Sequence, residues 1–119
     1  WPVEVAEEQL EVLSDLTSSG PAYISAILRE FALEASMRGA GVDKDLAEQL
    51  IKKTLIGTAA LLEDESFDDL IAMVATRGGI TEEGAQVIEA LSPEMFRQLF
   101  SATSAKHRLV KDRIGNVEE

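Results

Sequence analysis

The chain has 119 residues, of which 45% are hydrophobic and 28% charged, and these values are ordinary for a single globular domain. It contains no cysteine, which excludes a disulfide framework, a thiolate metal site and a cysteine nucleophile. Asp and Glu outnumber Lys and Arg by 22 to 11, and the formal net charge of −11 disfavours nucleic acid and anionic membranes as partners. No apolar run of about 18 residues and no secretory leader is present, so we expect no membrane span and a cytoplasmic location.

Apolar side chains recur at helical spacing along nearly the whole chain, and no useful alternating strand pattern appears beyond the first five residues. Helix starts are marked by Pro21, Asp43, Ser66, Thr81 and the tripeptide Ser92–Glu94, which are residue types that cap or open helices. We therefore predict an all-α bundle of about six helices. The expected helices span 7–16, 21–38 and 44–63, followed by one opening at 66–69, one opening at 81 and one from 92–94 to about 114.

The second half of the third predicted helix, Thr54–Leu62, carries no charge on any face. A helix that is apolar all round is buried all round, and its small residues allow a neighbouring helix to approach closely. Two sources of cover are open at this point. Either a second chain packs on this segment, or the other helices of the same chain surround it.

Two short segments, Thr17–Tyr23 and Thr76–Thr81, place hydroxyls and glycines just before a helix N-terminus. Free backbone N–H groups at such a place favour a carboxylate or a phosphate, and glycine lets a ligand approach the backbone. The alternative for each segment is an ordinary helix boundary, with Thr81 as a plain N-cap. No catalytic triad, metal-ligand cluster or phosphate loop is present in the sequence.

The end of the chain differs in charge from the rest, because residues 94–119 hold five of the 11 basic side chains. Four of them, Lys106, Arg108, Lys111 and Arg113, lie close together on the last predicted helix. Cations near a helix C-terminus suit the helix dipole, which is one explanation. The other is contact with an acidic face of a partner subunit.

The order of motifs resembles a known family. Ser19–Tyr23, a long helix, Gly39–Val42, a helix containing Thr54–Gly57 and then Thr76–Thr81 follow one another as in the C-terminal helical dimerisation domain of pyrroline-5-carboxylate reductases. The resemblance extends over about residues 10–114, nearly the whole chain. Either of the two glycine-containing motifs alone would be a weak signal, whereas the two in this order are fairly specific.

The resemblance implies an intertwined homodimer, or a higher oligomer, and a Rossmann-type domain that binds NAD(P)H before Trp1. Residues 1–5 would be the tail of the last strand of that domain, and residues 6–119 the helical dimerisation and substrate-loop domain. NAD(P)H would then serve the full-length protein, in which 1-pyrroline-5-carboxylate is reduced to proline. These 119 residues alone are expected to bind no cofactor and to be inactive, since no glycine-rich dinucleotide fingerprint occurs in them.

The resemblance also implies a site for this small-molecule substrate. Backbone N–H groups of the loop Thr76–Thr81 would hold the carboxylate of the pyrroline, and the Thr81 hydroxyl would bond the ring nitrogen. Thr81 is therefore the catalytic candidate, and the hydroxyl of Thr76 would line the pocket. The substrate-binding residues implied in this way are Thr76, Arg77, Gly78, Gly79, Ile80 and Thr81.

The loop departs from the usual family pattern at several positions. Arg77 stands where the family has proline, Ile80 where it has a small residue, and the acids Glu82 and Glu83 follow where it is apolar or small. This variant resembles a reductase-like subgroup that includes ComER-type late competence proteins. Two functions therefore remain: an active reductase, or a non-catalytic relative that uses the domain for dimerisation and interaction. An unrelated helical interaction bundle is a third, less supported interpretation.

Overall fold

A computed structural model describes the backbone of residues 6–118 and the side chains of residues 6–113. Every regular element in this range is helical, which confirms the predicted all-α class. The remnant strand expected over residues 1–5 lies outside the described residues. The five helices are α1 (Glu7–Thr17), α2 (Gly20–Ser36), α3 (Lys44–Leu61), α4 (Phe67–Val74) and α5 (Ile80–Glu118).

Two of the predicted helix starts are capped by the expected side chains. Asp43 Oδ1 accepts a hydrogen bond of 2.8 Å from the N–H of Leu46, and α3 begins at the next residue, Lys44. Ser66 Oγ accepts one of 3.1 Å from the N–H of Asp69, and α4 begins at Phe67. Each cap satisfies a backbone donor that has no partner inside its helix.

The fifth and sixth predicted helices are one continuous helix, so five helices stand where six were expected. α5 runs through Pro93 without a break. Proline within a helix removes one backbone hydrogen bond and crowds the carbonyl four residues earlier, here that of Glu89. Both residues are exposed, so water can satisfy the freed carbonyl, and the strong helix formers on either side continue the helix.

The helices separate into two compact units. Pro21–Ala85 form one unit, and residues 6–20 together with residues 86–118 form the other. In the first unit, the buried apolar residues are the two alanines Ala32 on α2 and Ala47 on α3. An open groove of about 460 Å³ runs between these two helices, with Ala26 and Leu55 among its lining residues.

In the second unit, α1 is tied to α5 by two polar contacts. The Thr103 hydroxyl donates to Asp15 Oδ2 at 2.8 Å, and the Asp15 carboxylate is buried. Lys111 Nζ donates to Glu7 Oε2 at 2.8 Å, an exposed pair. α5 continues to Glu118 and has no basic residue in its last turn. The basic residues Lys106–Arg113 therefore lie before the end of the helix, whereas the dipole explanation required them at the end.

The chain leaves most of its large apolar side chains exposed. Leu55, Ile56 and Leu61, all within the uncharged segment Thr54–Leu62, are 42%, 71% and 48% exposed. Within their own unit, Pro21–Ala85, the helices therefore do not supply the cover that Thr54–Leu62 requires, and this favours the explanation that needs a second chain.

Among the described residues, no helix combines the length and the apolar character that crossing a membrane requires.

Candidate functional site

The loop between α4 and α5 contains a tight turn over Thr76–Gly79. The N–H of Gly79 donates to the carbonyl oxygen of Thr76 at 2.9 Å, and Gly78 has a φ of 76°. Because Arg77 has a negative φ, this is the pattern of a type II turn, which needs glycine at its third position. Proline is favoured at the second position of such a turn, which is where Arg77 lies. Arg77 and proline are therefore interchangeable for the backbone, and only the side chain differs.

Gly79 is fixed by close contact rather than by its backbone angles. A Cβ added at this residue would lie 2.8 Å from Thr76 Oγ1 and 3.1 Å from the Thr76 carbonyl oxygen. The turn therefore brings the Thr76 side chain directly against residue 79. Both glycines of the motif have a structural reason that does not depend on a ligand.

α5 begins immediately after this turn. Its first residue is Ile80, and the N–H of Glu83 donates to the Gly79 carbonyl at 3.4 Å as the first turn closes. The N–H groups of Ile80, Thr81 and Glu82 precede this bond and have no acceptor inside the helix. Three backbone donors without a partner inside the helix therefore lie at its positive end, which is the arrangement that favours binding of a carboxylate.

Thr81 lies within the first turn of α5 and is not its N-cap, which corrects the simple capping explanation. The helix starts one residue earlier, so Gly79 occupies the capping position. Among the residues that the structure describes, none shares a hydrogen bond with the Thr81 hydroxyl. The hydroxyls of Thr54 and Thr58, by contrast, donate to carbonyls four residues earlier in α3. The Thr81 side chain is exposed and its hydroxyl is available to a ligand.

The other predicted site residues are also open to solvent. Ile80 is 92% exposed, and Thr76 and Arg77 are exposed as well. The Arg77 guanidinium forms no ion pair within residues 6–113, although acidic side chains outnumber basic ones. In the same range no group of three or more metal-ligating side chains occurs.

Glu82 is the loop residue that the sequence reasoning missed. Its Oε1 accepts a hydrogen bond of 3.2 Å from the N–H of Gly78, whereas in the sequence Glu82 stood out only as a departure from the family pattern. Glu82 has the spacing of the acid in a capping box, three residues after the N-cap, but here the N-cap is glycine and the carboxylate bonds the N–H of the residue before it. With Gly79 recognised as the N-cap, that pattern would have identified Glu82.

The first candidate segment is an ordinary helix boundary in its first part. The Thr17 hydroxyl donates to the Leu13 carbonyl at 2.8 Å, and the N–H of Ser19 donates to the Ser14 carbonyl at 3.0 Å. These groups close the end of α1 and are engaged internally. The loop Thr76–Thr81 is therefore the stronger candidate of the two.

Comparison with known proteins gives a family match over most of the chain. Residues 7–109 match the family described as pyrroline-5-carboxylate reductase dimerisation. Pyrroline-5-carboxylate reductase 3 of Bacillus subtilis is 40% identical over 94% of this chain and 42% of its own length. ComE operon protein 4 of the same organism is 32% identical over 89% of this chain and 39% of its own length.

A pyrroline-5-carboxylate reductase of Staphylococcus haemolyticus is 29% identical over 92% of this chain and 40% of its own length. The chain thus spans about two fifths of the length of these relatives. No solved structure gives a significant match.

Proposed function

The chain belongs to the pyrroline-5-carboxylate reductase family through its dimerisation domain, and from this premise we propose that it is the dimerisation and substrate-binding part of a reductase of that kind. The full-length protein would reduce 1-pyrroline-5-carboxylate to proline with NAD(P)H. The observation that carries the proposal is the loop itself: an ordered turn opening onto three free N–H groups of α5, beside the free hydroxyl of Thr81.

The roles of the loop residues follow from what each group offers. The N–H groups of Ile80, Thr81 and Glu82, together with that of Gly78, would hold the substrate carboxylate at the positive end of α5. The Thr81 hydroxyl would donate to the ring nitrogen as that nitrogen gains electron density. Arg77 lies one residue before Gly78 and would add a positive charge on the same side. These groups orient an imine and need supply no strong acid or base, since hydride comes from the cofactor.

NAD(P)H would be held outside these 119 residues. They contain no Gly-x-Gly-x-x-Gly sequence following a strand, and the described elements are all helices, so they do not fit a dinucleotide phosphate site. The cofactor supplies the hydride when it is bound by the nucleotide-binding part of the full-length protein. We expect the 119 residues by themselves to show no NAD(P)H-dependent turnover.

The proposal is tested by NAD(P)H oxidation with 1-pyrroline-5-carboxylate and the full-length protein. Turnover is expected, and the variant Arg77→Pro keeps the turn while removing the charge. We expect this variant to raise KM for the substrate, whereas Arg77→Lys keeps most of the binding. An unchanged or lowered KM in Arg77→Pro would remove Arg77 from the binding residues, and no turnover in the wild type would overturn the reductase function.

A second function is favoured by one observation in the loop and one relative. Glu82 already occupies the Gly78 N–H, and two acids in the first turn of α5 repel an anionic substrate. ComE operon protein 4 is among the relatives. A non-catalytic protein that uses this domain for dimerisation and interaction would accordingly form the dimer but give no turnover with either NADH or NADPH.

We also propose that the partner that covers the exposed apolar surface is a second copy of the chain. The family is described by its dimerisation, and large apolar side chains such as Phe31, Ile56 and Leu91 are 65%, 71% and 68% exposed. Obligate dimer interfaces are rich in apolar side chains and resemble a domain core cut in half. The few buried residues of the single chain fit this arrangement.

A further inference from the structure

The Glu82 carboxylate is bonded to the loop that precedes α5. Its Oε1 accepts from the N–H of Gly78 at 3.2 Å, directly before the free N–H groups of α5. We infer that Glu82 is a specificity-determining residue: it is an internal competitor that a substrate carboxylate must displace from the Gly78 N–H. This inference rests on the function proposed above, because it concerns how the same loop selects its substrate.

The hydrogen bond to Glu82 is not what holds the turn. The turn is already closed by the bond of 2.9 Å from the N–H of Gly79 to Thr76, and its geometry is set by the positive φ of Gly78. The Glu82 bond is exposed and long for a bond to a charged acceptor. A contact that adds little to the loop and lies on its binding face is easily exchanged for a ligand.

Glu83 provides a matched comparison within the same turn of α5. It carries the same charge one residue later, and no hydrogen bond or ion pair of its side chain occurs within residues 6–113. Removing either charge changes the net charge of the loop equally. Only the removal of Glu82 frees the Gly78 N–H, so the difference between the two variants measures the exchange and not the general electrostatic repulsion.

The kinetic test compares Glu82→Ala and Glu83→Ala in the full-length protein with two substrates. For 1-pyrroline-5-carboxylate, Glu82→Ala removes both acceptor oxygens and is expected to lower KM by about 3- to 10-fold with kcat nearly unchanged, the size of one exposed hydrogen bond. For 1-pyrroline, which lacks the carboxylate, KM is expected to stay the same. A higher KM in Glu82→Ala would mean that Glu82 braces the loop, and equal effects of both variants would mean bulk charge alone. Either result overturns the inference.

A second measurement separates this inference from the proposed function. Hydrogen exchange at the Gly78 N–H is followed by NMR in full-length protein labelled with ¹⁵N-glycine. Exchange should accelerate in Glu82→Ala and stay unchanged in Glu83→Ala, and L-proline should shift the Gly78 signal at lower concentration in Glu82→Ala than in the wild type. If these changes occur without any turnover, the reductase function fails and the competition by Glu82 stands. If turnover occurs and Gly78 responds alike in both variants, the role of Glu82 fails alone.

Discussion

Replacing Thr81 by alanine should separate substrate handling from folding. The Thr81 hydroxyl is exposed, lies inside the first turn of α5 and has no partner among the described residues, so its loss removes no contact of the folded chain. Surface substitutions of this kind change the free energy of unfolding by about 0.5 kcal/mol or less. Alanine is also the better helix former, so the small change should be in the stabilising direction.

Turnover should respond much more strongly than stability. If the Thr81 hydroxyl donates to the ring nitrogen, Thr81→Ala removes one hydrogen bond from the reacting complex. Such a bond is worth about 1–3 kcal/mol, which corresponds to a loss of roughly 5- to 150-fold in kcat/KM. Thr81→Ser keeps the hydroxyl and should retain most of the turnover of the full-length protein.

Thr103 is the matched control because its hydroxyl is part-buried and hydrogen-bonded, whereas that of Thr81 is exposed and without a partner among the described residues. It donates at 2.8 Å to Asp15 Oδ2, and Asp15 is only 6% exposed. Thr103→Ala removes a donor from a buried carboxylate and should cost about 1–3 kcal/mol of stability, while turnover of the folded protein stays unchanged. The assay is melting temperature against kcat/KM for Thr81→Ala and Thr103→Ala. A Thr81→Ala variant that melts early but turns over normally would refute the assignment of Thr81 to the site.

Two further predictions concern stability. Gly79→Ala should destabilise the protein by about 1–3 kcal/mol in chemical denaturation, because the added Cβ would lie 2.8 Å from Thr76 Oγ1. Gly84→Ala, whose added Cβ would have nothing within 4 Å, should stabilise it by about 0.5–1 kcal/mol. Equal effects of the two variants would contradict the turn geometry. The hydrogen bond and charge of Glu7 raise the pKa of Lys111 above its ordinary value of 10.5, so this pair stabilises the fold below pH 10.5 and the effect is lost as the pH rises through the raised pKa. Lys111→Met should therefore melt below the wild type at pH 8 and together with it in strongly alkaline buffer, and a deficit that persists there would contradict the pairing.

The helix class and several helix starts could be predicted from the sequence because their signals are local. Asp43 and Ser66 each precede an amphipathic stretch and bond to a backbone N–H three residues on, so the sequence alone contains both partners. Thr54–Leu62 was expected to need cover, and its exposure in the single chain agrees with cover by a second one. The continuous α5 was not predicted, because Pro93 after Ser92 is a strong local sign of a helix start. How much a proline inside a helix destabilises that helix depends on its surroundings, which the sequence does not show.

The structure changes the details of the predicted loop, and its role as a site stays a prediction. The glycines and threonines of Thr76–Thr81 marked the loop, yet the start of α5 at Ile80 moved Thr81 from the capping position into the first turn. The bond from Gly78 to Glu82 depends on that one-residue shift. The contact between Asp15 and Thr103 joins residues 88 positions apart, and no local pattern specifies such a pair.

The central claim is that a second copy of this chain completes its core, and sedimentation equilibrium of the protein tests it most directly. At micromolar concentration the folded 119-residue chain should sediment as a dimer, at about twice its mass of 12.9 kDa. Dilution should cause loss of helical circular dichroism together with dissociation, because the apolar surface of the single chain has no other cover. A stable, fully helical species of 12.9 kDa at micromolar concentration would contradict the account.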